Sequence, residues 1–146
     1  GCGFADLADY LNNRYKRVSY TGVDLSPEMI REAKALHPDL DLRQFNILND
    51  EIGNFDVVTA NGVFYLLGED APELTRRLIS RMFGIAHEVV AFNSLSSWAP
   101  SQETGEYYAD PLELLGFCRS LSPRVVLRHD YHRRDFTIYL YKQRDK

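Results

Sequence analysis

Apolar residues recur along this chain at two periods, and the alternation between them lays out the elements. Phe4, Leu7, Ala8 and Leu11 stand at helical spacing with Asp6 and Asp9 near the start, so residues 4–15 are expected to form a helix. Residues 18–24 (VSYTGVD) read as a short strand that ends in an acid. Ser26-Pro27-Glu28 opens a second helix, with Ser26 as its cap and Pro27 at the first helical position. Met29, Ile30, Ala33 and Leu36 give that helix an apolar face, and His37-Pro38 ends it. Residues 41–46 (DLRQFN) alternate and predict an outer strand; residues 55–60 (FDVVTA) predict a buried one, followed by a turn at Asn61-Gly62. Residues 71–84 predict a helix with Leu74, Leu78, Ile79 and Phe83 inward, and residues 86–93 (AHEVVAFN) another apolar strand. Residues 94–109 keep no period and hold Trp98, Pro100, Gly105, Tyr107 and Tyr108, the marks of a long loop that serves as a lid or binding segment. Asp110-Pro111 starts a helix reaching about Leu121, and the tail offers strands at 124–130 and 135–142 whose short join implies an antiparallel hairpin.

Helix, strand, helix, strand, strand, helix, strand, helix, hairpin is the order of an α/β protein: a doubly wound, mostly parallel sheet with a C-terminal antiparallel hairpin. On such sheets ligands bind beyond the carboxyl ends of the strands, so the residues there matter most. The 146 residues, 45% of them hydrophobic, suffice for one domain with its own core. A net charge of −4 points away from a nucleic-acid backbone as partner. The arginine clusters (Arg76, Arg77 and Arg81; Arg124, Arg128, Arg133 and Arg134) read as solvated helix faces and strand ends. Two cysteines, Cys2 and Cys118, make no disulfide framework and no zinc spacing, and are expected to be reduced thiols of a cytoplasmic protein. No apolar run is long enough to span a membrane. The chain opens on Gly1 with no leading strand, which raises the expectation that the natural protein is longer, with a first strand preceding this segment, or that a partner segment fills the gap.

Gly1-Cys2-Gly3 stands directly before the first helix, where glycine lets the backbone turn sharply and approach a ligand. A plain glycine turn would look the same. Asp24 sharpens the reading: it closes the next strand 21 residues after Gly3. At that spacing an acid meets ribose hydroxyls in dinucleotide-type sites, since a carboxylate accepts two hydrogen bonds from a vicinal diol. A helix-capping role for Asp24 competes, but Ser26 already serves the following helix. His129 and His132 have a metal-like spacing without a third ligand, and His87 lies at a strand start; all three read as structural or solvated.

GCGFADLADYL, YTGVDLSPEMIREAKA, FNIL and FDVVTANGVFYLL, in that order and spacing, resemble the class I S-adenosylmethionine-dependent methyltransferases, and the C-terminal antiparallel hairpin, closing with DFTIYLYK, resembles the last two strands of their fold. The resemblance implies that Gly1 and Gly3 lie against the methionine moiety of S-adenosylmethionine and that Asp24 holds its ribose. It implies further that Leu25, Ser26 and Met29 flank ribose and adenine, that Asn46, Ile47 and Leu48 border the adenine, and that Asn61, Gly62 and Val63 line the pocket mouth near the methionine portion. Core packing is the competing role for Leu25, Met29, Ile47 and Leu48, and a solvated turn for Asn46. Ala5 stands where many members carry a third glycine, and the first strand with its acid is absent. Methyl transfer is an in-line displacement at an activated carbon, so alignment supplies most of the rate and no catalytic motif is required. None is evident. Tyr65, Asn93, Trp98, Tyr107 and Tyr108 are candidates for shaping an acceptor pocket. A small-molecule acceptor is expected; Asn61-Gly62-Val63-Phe64 replaces the motif of base-flipping enzymes. A nicotinamide-dependent oxidoreductase and a non-catalytic S-adenosylmethionine-binding protein are the competing readings.

Overall fold

The computed structural model describes residues 1–15 and 17–143. The chain divides into two compact units, Gly1–Glu51 and Ile52–Lys146.

In the first unit, helix α1 (Asp6–Arg14) leads to strand β1 (Thr21–Asp24), helix α2 (Pro27–Leu36) and strand β2 (Asp41–Gln44). The strands pair in parallel, Thr21 opposite Asp41 and Asp24 opposite Gln44. β1 is shorter than residues 18–24 because its partner begins only opposite Thr21, which leaves 18–20 nothing to pair with. The core is small and close-packed: Ala5, Ala8, Ile30, Ala33 and Leu42, with Cys2, Tyr20 and Leu40 against them. Gly22 is required by this closeness, since a Cβ there would stand 2.6 Å from Leu42 Cδ2 and 3.0 Å from Cys2 Sγ. α2 starts as its sequence directs: the Met29 N–H donates to Ser26 Oγ at 3.2 Å, and Pro27 fills the first helical position, where no N–H is needed. His37 ends the helix, its N–H on the Ala33 carbonyl.

The second unit carries strand β3 (Phe55–Ala60), a 3-10 turn (Phe64–Leu66), helix α3 (Ala71–Ile85), strand β4 (Ala86–Leu95), helix α4 (Pro111–Leu121) and strands β5 (Val125–Arg128) and β6 (Asp135–Tyr141). The sheet order is β3-β4-β6-β5; β3 and β4 run parallel, and β6 lies antiparallel to both β4 and β5. The expected hairpin is present, with its second strand inserted between β4 and β5. β6 alternates half-buried with buried positions, Phe136, Ile138 and Leu140 pointing into the core beside Val90 and Phe92 of β4. Two expectations need correction. β3 is not buried: Asp56, Val57 and Thr59 are exposed, because β3 is the edge of its sheet and pairs with β4 alone. The buried face of α3 is Ala71, Thr75, Ile79, Met82 and Ile85, which leaves Leu74, Leu78 and Phe83 half-buried on its flank. Among the described residues no helix is long and apolar enough to cross a membrane.

Candidate functional site

The glycine turn and the acid meet. Gly3 takes a left-handed backbone angle, φ +53°, and its N–H donates to Asp24 Oδ2 at 3.0 Å. The Ser26 N–H donates to Asp24 Oδ1 at 3.0 Å, while Gly1 and Cys2 both donate to the Val23 carbonyl, at 2.8 and 2.9 Å. The turn is thus stitched to the end of β1, and the carboxylate is held between two backbone donors with its side chain 16% exposed. Each carboxylate oxygen carries one of these bonds and keeps a further lone pair. A Cβ built on Gly3 would meet nothing within 4 Å, so open space lies beside the turn. Ala5 follows at φ +66°, in the region that favours glycine, and starts α1 without a side-chain cap.

Leu25 and Met29, which could have been core residues, are 64% and 38% exposed beside Asp24. The Ser26 hydroxyl is committed to capping α2 and to Glu28, 3.1 Å away. The Phe45 N–H donates to the Asp24 carbonyl at 2.9 Å, which ties the segment after β2 to the end of β1. Asn46 then makes a local turn: its N–H donates to Asp50 Oδ2 at 2.8 Å and its side-chain oxygen accepts from the Leu48 N–H at 3.1 Å. Ile47 and Leu48 are half-buried.

In the second unit Asn61 and Gly62 are exposed and Val63 is half-buried. Gly62 has φ +67°, and its N–H donates to Asn93 Oδ1 at 2.7 Å. The other end of the Asn93 amide donates to Asp135 Oδ2 at 2.9 Å. The loop at residues 94–109 is anchored at several points. Ser96 and Ala109 form a bridge, the Tyr107 N–H donates to the Tyr65 carbonyl at 3.0 Å, and the Ser96 N–H donates to the Arg134 carbonyl at 2.8 Å. The Arg134 guanidinium donates to Glu103 Oε1 at 3.0 Å, to Glu106 Oε2 at 3.4 Å and to the Tyr108 hydroxyl at 2.7 Å. Beside this network lies an open cleft of about 320 Å³, lined by Tyr65, Leu95, His132 and Asp135 together with the network's own Glu103, Glu106 and Arg134. Of the aromatic candidates, Tyr65 lines the cleft and Tyr108 braces it, whereas Trp98 stacks on His129, ring centroids 5.3 Å apart.

His129 in turn stacks on Phe136 at 6.1 Å, and His132 is exposed and accepts the Arg134 N–H on Nδ1 at 3.3 Å. Among the described residues no three His, Cys, Asp or Glu side chains are grouped to hold a metal ion. Both cysteines are unpaired. Burial pushes the Cys118 thiol up to about 12 and raises Cys2 as well, so neither is an activated nucleophile. Sequence reasoning missed Arg134, Glu103, Glu106 and Asp135. Arg134 was expected to be a solvated strand end, and nothing in residue spacing links it to carboxylates 28 and 31 positions earlier.

The family model described as "Methyltransferase domain" matches residues 1–82. Over 149 aligned residues the chain is 31% identical to Rv1506c of Mycobacterium tuberculosis, whose name assigns it provisionally to the methyltransferases; the alignment covers 97% of this chain and 90% of that protein. The fold is similar to that of magnesium protoporphyrin IX methyltransferase from Synechocystis PCC 6803 with bound S-adenosylhomocysteine. That likeness has a TM-score of 0.75 at 13% identity and covers 98% of this chain and 72% of that one. It is also similar to the N-methyltransferase NodS from Bradyrhizobium japonicum, with a TM-score of 0.70 at 17% identity over 99% of this chain and 83% of that one.

Proposed function

The chain belongs to the methyltransferase domain family, class I and S-adenosylmethionine-dependent, and from that premise we propose that it moves the cofactor's methyl group to a small-molecule acceptor, with residues 1–146 serving as one catalytic domain. The observation that carries the site assignment is the Gly3 N–H on Asp24 Oδ2 at 3.0 Å. It fixes the carboxylate at the end of β1 with lone pairs left for a ribose diol, next to open space at Gly3. We assign Gly1 and Gly3 to the methionine moiety, and Leu25, Ser26 and Met29 to the ribose and adenine. The exposure of Leu25 and Met29 supports this, since apolar side chains left out of the core are available to a flat apolar ring. Asn46, Ile47 and Leu48 are assigned to the adenine edge, and Asn61, Gly62 and Val63 to the methionine portion.

When bound, the cofactor supplies a methyl carbon activated by its sulfonium; what remains for the protein is orientation and exclusion of water. Two unpaired cysteines support a cytoplasmic setting. The test is calorimetric titration with S-adenosylhomocysteine of the wild-type protein and of Asp24→Ala. Hydrogen bonds to a charged group are worth about 1.5–3 kcal/mol, so the variant should bind about tenfold more weakly or worse. Equal affinity in a folded variant would refute the ribose assignment.

A further inference from the structure

The cleft in the second unit has an electrostatic character of its own. Three carboxylates, one guanidinium and one imidazole line it: Glu103, Glu106, Asp135, Arg134 and His132, whose Nδ1 accepts the Arg134 backbone N–H at 3.3 Å. The two terminal nitrogens of Arg134 are engaged by the loop, in bonds to Glu103, Glu106 and Tyr108, and its Nε is buried without a hydrogen-bond partner, out of reach of the cleft, so it offers an incoming anion little. Asp135 is different. It stands at the first position of β6, half-buried, and no cation is paired with it among the described residues. Its partners are neutral: the Tyr131 hydroxyl and the Asn93 amide, whose other end is locked by the Gly62 N–H. An amide held at both ends cannot turn away, so the carboxylate keeps one orientation in the cleft wall. Leu95 and Tyr65 supply apolar surface beside it. A volume of about 320 Å³ suits a compact molecule.

We infer that this cleft is the acceptor subsite and that it takes a small molecule carrying a protonated amino group, docked on the Asp135 carboxylate that Asn93 positions. The inference rests on the small-molecule methyltransferase reading and names the chemical class of its acceptor. A carboxylate or phosphate ligand would meet the Asp135 charge, while the Arg134 guanidinium is already engaged by Glu103, Glu106 and Tyr108 and His132 Nδ1 accepts the Arg134 N–H. A neutral ligand would leave the partly desolvated Asp135 without a counter-charge. The amino group serves as the handle for recognition, with the apolar body of the ligand against Leu95 and Tyr65.

The experiment uses three isosteric probes, phenethylamine, phenethyl alcohol and phenylacetate, each tested by saturation-transfer NMR and titration in the presence of S-adenosylhomocysteine. Phenethylamine should bind, the alcohol more weakly and the acid not at all. Asp135→Asn, which keeps a side chain able to bond Asn93, should weaken the amine about fivefold or more. Asn93→Ala should weaken it in the same direction by releasing the carboxylate, and unchanged melting of the two variants excludes unfolding as the cause. Equal binding of the acid, no binding of the amine, or amine binding that survives Asp135→Asn overturns the inference. Calorimetry with S-adenosylhomocysteine on the same samples separates the two levels. Intact cofactor-product binding with no preference for the amine defeats the acceptor class alone, whereas its loss in the wild type defeats the reading beneath it.

Discussion

Ala5 holds its backbone at φ +66° with its side chain fully buried. The left-handed conformation costs an L-residue about 1–2 kcal/mol. A buried methyl returns about 0.8 kcal/mol. The two nearly cancel, so Ala5→Gly is expected to change unfolding free energy by no more than about 1 kcal/mol in urea titration, and the alanine at a position many relatives give to glycine is physically tolerable. Gly22 is the opposite case. Its added Cβ would stand 2.6 Å from Leu42 Cδ2 within the close-packed core of the first unit. Gly22→Ala should therefore destabilise by about 1–3 kcal/mol, as overpacking does; a urea midpoint equal to wild type would show that Leu42 can move aside. The need for glycine at 22 is invisible in the sequence. TGVD reads as an ordinary strand, and only the approach of Cys2 and Leu42 closes the space.

At the scale of elements, helix starts are the part of this chain that its residues specify most directly. Asp110 Oδ1 accepts both the Leu112 and the Glu113 N–H, at 2.8 and 2.9 Å, in the manner its place before Pro111 predicts. Asp110→Ala should cost about 1 kcal/mol and lower the melting temperature, while Asp110→Ser, which keeps an acceptor, should recover most of the loss. α4 also carries Cys118, fully buried, with its thiol pushed to about 12 from an ordinary value of 9.0. The folded state therefore keeps the thiol protonated where the unfolded chain ionises. This contribution to stability is complete below pH 9 and shrinks as pH rises towards 12. Cys118→Ala should flatten the fall of melting temperature across that window. It should not abolish it, because burial raises Tyr20 to about 12 as well. The same burial predicts that a disulfide reagent leaves Cys118 unreacted in the native protein and modifies it on unfolding. α3 shows where periodicity falls short. Leu74, Leu78 and Phe83 fit a helical stripe, yet the face that packs runs through Ala71, Thr75, Ile79, Met82 and Ile85, a neighbouring stripe at the same period that periodicity alone does not tell apart.

For the whole molecule, a ligand that binds only the folded chain raises its stability in proportion to the logarithm of its concentration. S-adenosylhomocysteine at 100 times its dissociation constant should add about 2.7 kcal/mol and raise the melting temperature. Asp24→Ala, binding about tenfold more weakly or worse, should lose about half of that shift or more at the same ligand concentration, and a shift of equal size in the variant would count against the ribose assignment on evidence independent of calorimetry.

Chain order alone settled the α/β class, the capped starts of α2 and α4, the closing antiparallel strands and the pairing of a glycine turn with an acid. The first three rest on contacts between near neighbours or on a period of a few residues; the glycine turn and Asp24, 21 residues apart, were linked by that spacing and by the acid's place at a strand end. Other features needed the folded chain. The exposure of β3 follows from its edge position, and sheet order is set by long-range pairing that no local pattern encodes. Arg134 reaches Glu103 and Glu106, and Asn93 joins Gly62 to Asp135, across 28 to 42 residues. A side chain's charge is written in the sequence, but the partner that neutralises or aims it is chosen by which strands and loops come to lie side by side.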